Sequence, residues 1–311
     1  MKLPELARHV RLARMALSSR SPAGALALLV LAAAPLAAQA RRTLDRFDPE
    51  AQLMGYFATV MQFSPIGLAD KDGRLEIGVA GSIIPSLSLS DRLVGFGGTK
   101  PEDANKCPIF PRLALAKGFG GVTVELGYTP PVTVCDVKAG ITSAAALTRF
   151  PLSPQWDGAV RISGVVGSLR SAITCSPAFT QDPLDQTCYN GTPSDDRVAP
   201  VSLSVDFIAA RQGRQRSRLE PYVLFGFRYE RVDFDVNYTR SAAQGAADPQ
   251  HIYPAIDDHE RTRATLSGVQ LAMGASWAAA ERFRLAGELY YAPGMLITVR
   301  GRASVLLGGT R

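Results

Sequence analysis

The sequence predicts an all-β fold: an antiparallel, up-and-down transmembrane β-barrel of about ten strands, preceded by a short helix. Two observations carry this. First, segment after segment alternates apolar with polar or small residues, and side chains on a strand point to opposite faces in turn. Second, the polar face of these segments mixes single charges with Gly, Ala and Ser. A solvated sheet would carry a dense Lys/Glu coat, whereas a crowded polar lumen inside a lipid-facing wall has this mixture. The C-terminal stretch shows both. Phe283, Leu285, Leu289 and Tyr291 lie on one face, opposite Arg284, Ala286, Glu288 and Tyr290. After the turn Ala292-Pro293-Gly294, residues Met295, Ile297, Val299, Ala303, Val305 and Leu307 oppose Thr298, Arg300, Arg302 and Ser304.

The chain has 311 residues. Its start carries Lys2, Arg8, Arg11, Arg14 and Arg20, then the uncharged run Ala23–Ala37, then Ala38-Gln39-Ala40, which fits an A-x-A cleavage site. Residues 1–40 are therefore expected to be a signal peptide, cleaved after Ala40. Their loss lowers the formal charge from +6 to +2, so the basic balance belongs to the signal and gives no reason to expect nucleic acid. No later run reaches the length of a transmembrane helix.

Residues 41–73 read as a periplasmic segment with a short helix. Asp48 is a cap, Pro49 suits the first helical position, and Leu53, Tyr56, Phe57, Val60 and Met61 follow at helical spacing. Packing on the end of the barrel is the expectation, with a plug inside it as the alternative. Residues 74–311 form the barrel. Its strands centre on 75–83, 109–118, 122–128, 140–150, 156–166, 201–207, 223–236, 269–277, 283–291 and 295–307. In the seventh, Val223, Phe225, Phe227 and Tyr229 are followed by Val232, Phe234 and Val236, a change of phase. It predicts a β-bulge near Arg231 or departure of the strand from the membrane there. Connections near 89–108, 130–139, 175–199 and 239–262 are mostly long, while those near 118–121, 151–155, 211–218 and 280–281 are short. Short periplasmic turns and longer external loops are the rule in outer-membrane barrels, so the long loops are placed outside and the N-terminal segment in the periplasm.

The export signal, the ten alternating segments and strands of the type Gly121-Val122-Thr123-Val124-Glu125-Leu126-Gly127-Tyr128 resemble the bacterial outer-membrane β-barrel proteins. The resemblance covers nearly all of the mature chain and implies location in the cell outer membrane. It also implies outer-membrane lipid and the barrel-assembly machinery as partners. The end of the chain, Leu307-Gly308-Gly309-Thr310-Arg311, departs from the terminal aromatic usual in that family. A monomer is expected.

The inward faces are expected to carry Glu76, Glu125, Asp157, Arg161, Asp206, Arg228, Glu230, Arg284, Glu288, Arg300 and Arg302. Both signs are present, and ten strands enclose a narrow interior. Charges taken from bulk water must pair, so a ladder of Arg–carboxylate pairs closing the lumen is expected. A thin ion-conducting path lined by the same residues is the alternative. The cysteines Cys107, Cys135, Cys175 and Cys188 survive in an exported chain, all in expected external loops. Disulfides Cys107–Cys135 and Cys175–Cys188 are predicted because they lie within one loop or join consecutive ones. No cofactor or metal is expected: the cysteines lack metal-ligand spacing, and His251 and His259 are the only mature histidines. The cluster Asp257-Asp258-His259-Glu260, expected in the fourth external loop, contains an Asp-His pair of the sort that can activate water. Omptins, proteases on ten-stranded barrels, use such a pair with a second acidic pair, but the loop at 130–139 offers only Asp136. A solvated acidic loop and a non-enzymatic, structural or surface-exposed scaffold are expected, with an omptin-type protease or weak divalent-cation binding at this loop as the alternatives. A soluble exported barrel, with its apolar face turned inward on a small ligand, is the remaining alternative.

Overall fold

The computed structural model describes residues 41–68, 73–94, 98, 100–185, 187–189, 191–211, 219–239 and 257–308, without the side chains of 239 and 257–259. The expected signal peptide and His251 lie outside the described residues. Ten long strands form one closed sheet: β1 (Leu75–Ile83), β2 (Ile109–Phe119), β3 (Val122–Thr129), β4 (Val137–Ser153), β5 (Trp156–Ser171), β6 (Asp196–Arg211), β7 (Leu219–Thr239), β8 (Asp257–Ala280), β9 (Phe283–Ala292) and β10 (Leu296–Leu307). Each pairs antiparallel with its neighbours in sequence, and β10 returns to β1 through Arg300↔Ser82 to Leu307↔Leu75. Closure removes both sheet edges, which is what a strand-built wall in lipid requires.

The apolar face points outward. Val79, Leu113, Phe207, Phe225, Met273 and Ile297 are all more than half exposed, or nearly so. Glu76, Arg161, Asp206 and Arg300, on the opposite face, are buried. A soluble barrel enclosing an apolar ligand has the reverse arrangement, and that alternative fails here.

Strands β4 to β8 run well past their expected limits, and the reason is visible on β7. Val223, Phe225, Phe227 and Tyr229 are 50–55 % exposed. Beyond them the outward positions become Arg231, Asp233 and Asp235, while Val232, Val236 and Tyr238 turn inward and are buried. The pairing with β6 and with β8 passes through Arg231 without interruption, so no bulge is present there. The change of phase is an inversion of chemistry on a straight strand: the outer wall changes from apolar to charged. The outer charges pair across strands, with Arg263 Nε 2.6 Å from Asp233 Oδ1 and Arg197 Nη1 3.8 Å from Asp235 Oδ2. Sequence periodicity tracks the apolar face, so it loses each strand at this level.

The helix α1 (Pro49–Met61) forms as predicted, with Asp48 at its N-cap and Pro49 at its first turn. Its placement corrects the expectation. It does not sit on the barrel's end but inside, against β6, β7 and β8, with ten of its thirteen residues buried. A helix apolar on nearly all sides needs such a burial. Leu53, Met54, Phe57 and Val60 pack with Val198, Val232, Ala264 and Leu266, the inward apolar residues above the inversion. Residues 62–68 then continue along the lumen without regular structure, buried throughout. The plug, the alternative expectation, is the arrangement found for residues 49–68.

Candidate functional site: a filled, charged lumen

Below α1 the barrel wall meets the plug through arginines. A chain that leaves the helix at Met61 carries carbonyls with no intrahelical partner, and buried carbonyls must be satisfied. The wall serves five plug carbonyls, one of which, Thr59 O, also accepts from the Gln62 N–H at 3.2 Å. Arg300 Nη2 donates to Thr59 O (3.3 Å), Arg161 Nη2 to Phe63 O (3.3 Å) and Arg112 Nη2 to Ser64 O (3.2 Å). Arg302 Nη1 donates to Pro65 O (3.2 Å) and Arg284 Nη1 to Leu68 O (2.9 Å). Arg228 donates to the Thr59 hydroxyl. The guanidinium of Arg112 also lies over the Phe63 ring at 4.4 Å. An arginine suits this work because its five donors reach a carbonyl and a carboxylate at once.

The same arginines hold the carboxylates. Arg161 bridges Glu125 (2.9 Å) and Asp206 (3.0 Å), joining β3, β5 and β6. Arg302 and Arg284 both meet Glu76, Arg302 closely and Arg284 at 3.5 Å. Ser304 Oγ donates to Glu76 as well, at 2.6 Å. Arg228 pairs with Glu230 at 3.2 Å and Arg300 with Glu288 at 3.8 Å. Tyr222 Oη donates to Glu288 at 2.6 Å and accepts from the Gly67 N–H at 2.9 Å, tying plug to wall once more. Arg300 stacks on the Tyr290 ring at 3.6 Å, and Tyr290 Oη donates to Gln270. Asp157, the remaining predicted lumen charge, is buried on β5 near the short turns.

All eleven predicted lumen charges thus face inward, ten of them buried and Arg284 partly so. Arg112 was missed. Its strand reads as weak because Pro111 and several alanines blur the pattern, although Arg112 opposes Leu113 and Leu115 in the alternation. Gly127 is small for a reason: a Cβ there would lie 2.5 Å from the Phe63 ring.

The long-loop end is covered too. Residues 84–108 carry a short hairpin, Leu93–Val94 with Lys100–Pro101, that lays Val94 and Ala104 against the α1 core. Glu102 is buried beside Lys100 at 3.8 Å, and its burial raises its carboxyl from 4.5 to about 7, with Lys100 opposing the shift. A carboxyl raised in the folded state keeps its proton between those two values while the open state loses it, so opening is favoured as pH rises through that window. Amide exchange at Glu102 and Asp103, corrected for intrinsic rates, is expected to show less protection near pH 8 than near pH 5. E102Q should abolish that dependence; an unchanged dependence in E102Q would assign it to another group.

The cysteines pair as Cys107–Cys135 and Cys175–Cys188, with Cα–Cα separations of 5.3 and 5.4 Å. The first joins the chain before β2 to the tip between β3 and β4. The second closes the loop 172–195, and its sulfurs are buried against Phe234, Val236 and Tyr238 of β7. C175A/C188A is expected to lower stability by about 3 kcal/mol on the chain-entropy argument, read as a lower unfolding temperature in detergent. A loss no larger than reduction of an exposed bond in a flexible loop gives would show that the loop is held by its packing alone.

The cluster Asp257–Glu260 needs correction as well. It is not in a loop but opens β8, with backbone pairing to Val236–Thr239. The side chains of Asp257, Asp258 and His259 lie outside the described residues. Glu260 faces Arg42 at 3.0 Å, and Arg42 also meets Glu50 of α1. Among the described residues there is no group of His, Cys, Asp or Glu arranged to hold a metal.

No family model and no curated protein matches the chain. Among solved structures, the chain is similar to Ail, the attachment invasion locus protein of Yersinia pestis. It shares 13% identity with that structure over 75% of this chain and 94% of the other, with a TM-score of 0.25. A second structure of Ail, in complex with the heparin analogue sucrose octasulfate, shares 9% identity over the same fractions, with a TM-score of 0.27. The barrel assignment rests on the closed strand pairing and the outward apolar face, not on these likenesses.

Proposed function

We propose that the protein is a monomeric outer-membrane barrel that conducts nothing through its centre and works as a closed scaffold for its long loops. The observation that carries this is the plug: residues 49–68 occupy the lumen, and six wall arginines fix them by hydrogen bonds to the plug. A conducting path would have to run through a region where buried side chains already meet. The outward apolar band supports the membrane, and lipid and the barrel-assembly machinery are the partners that such a band implies. The lumen needs no cofactor, and its charges hold structure instead of chemistry. Refolded protein in a planar bilayer should show no steady conductance above leak, and cell fractions should retain it with the outer membrane after a carbonate wash. Steady, ion-selective conductance of the wild type would return the lumen charges to the role of a selectivity lining.

A further inference from the structure

The direction in which the plug runs has a consequence for which side of the membrane its first residues reach. Arg42–Thr43 lies parallel to β8 beside Thr262 and Arg263, near the start of that strand. Leu44 N–H donates to Arg263 O at 2.8 Å. That start of β8 follows the long connection 240–256, so these residues sit at the long-loop end. From there every contact steps down the barrel. Tyr56 donates to Pro85 O in the first long loop. Thr59 meets Arg228 and Arg300 at mid-height. A Cβ on Gly67 would touch Ser276 and Ala286, and Leu68 meets Arg284, all close to the short turn 281–282. Gly73 lies against Gly118 O beside the short turn 120–121, and β1 starts at Leu75. The helix of thirteen residues covers about 20 Å, and residues 62–68, bent at Ile66 and Gly67, carry the chain on down the lumen.

We infer that the chain threads its own barrel from the long-loop side to the short-turn side, so that residues 41–48 are displayed at the cell surface beside the long loops. This rests on the outer-membrane reading above, with its long loops outside. It places an exposed tip there: Phe47 is 72 % exposed, with the Arg46 guanidinium 4.5 Å from its ring centre. It also means that the barrel delivers to the outside a segment that precedes its first strand, an activity that a barrel with a periplasmic N-terminal helix lacks.

The test uses the full chain in cells, with a short epitope inserted at one of three places: between Arg46 and Phe47, between Pro183 and Leu184, or between Pro154 and Gln155. Heat-modifiable mobility reports folding of each variant. The expected result is antibody binding to intact cells for the first two and binding only after permeabilisation for the third. If the tag at 183–184 is reached on intact cells while that at 46–47 needs permeabilisation, threading is wrong. If the tag at 154–155 alone is reached from outside, with the other two hidden together, the surface assignment falls through its orientation premise while the shared side of plug and long loops stands. Where an insertion blocks folding, R46C and Q155C replace it, read with a membrane-impermeant maleimide and interpreted in the same way, since all four native cysteines are in disulfides.

Discussion

Replacing Arg161 with alanine is expected to destabilise the barrel by about 3–5 kcal/mol, the cost of leaving buried partners uncompensated. Arg161 is 3 % exposed and is shared by Glu125, Asp206 and the Phe63 carbonyl, so one truncation strands two carboxylates and a plug acceptor. A control separates burial from charge counting. Arg170 meets Asp195 at 2.9 Å with both side chains more than half exposed. R170A should therefore change stability by no more than about 1 kcal/mol. The measurement is the temperature at which the heat-modifiable band is lost, for both variants in one detergent. Equal losses would show that the lumen is hydrated enough to screen its charges, and the closed-lumen account would go with it.

The second large effect is expected from the plug. Deleting residues 49–68 should turn a non-conducting barrel into one with steady conductance, because the wall charges would then line a water-filled path. The six arginines lose their plug acceptors in that variant, while Glu76, Glu125, Asp206, Glu230 and Glu288 keep theirs. With Asp157 included, six carboxylates face the six arginines, so the opened path should discriminate only weakly between anions and cations. F63A provides a milder version if the deletion does not fold, since Phe63 is 5 % exposed and fills the space left by Gly127. It should raise the frequency of brief openings. A deletion that folds and stays closed would place the seal in the loops above and not in the plug.

Much of this was legible in the sequence, and the reasons are specific. The strand centres were readable because lipid outside and charge inside give a strong period of two, as on Val122–Thr129 and Val223–Glu230. The eleven lumen charges followed from the same alternation, and the cysteine pairing followed from loop order. What was lost lies where two influences act on one segment. The upper parts of β7 and β8 alternate with opposite sense, so a pattern that follows apolar residues reads a bulge or a loop where the strand continues, and Asp257–Glu260 were misplaced with it. The helix was visible in Asp48, Pro49 and its spacing, but periodicity tells which residues are buried and not what buries them. That its faces are nearly all apolar was the available sign that it lies inside something. The carbonyls of Thr59 to Leu68 left no trace, since a backbone acceptor has no letter in the sequence.

The inversion on β7 also sets how the molecule stands in its membrane. From Leu219 to Tyr229 the outward face is apolar, eleven residues or about 33 Å along the strand, and a tilt near 45° reduces that to roughly 23 Å across the bilayer. Sliding outward would bring the short turns into hydrocarbon, and sliding inward would submerge Arg231, Asp233 and Asp235, so the depth is fixed from both sides. The remainder of β7, with the start of β8 beside it, then rises as a rigid collar about 20 Å beyond the lipid, cored by α1 and stitched outside by Arg263 and Asp233. Whatever meets the long loops meets them on a pedestal, clear of the headgroups, with its footing held by packing inside the collar and not by the lipid around it.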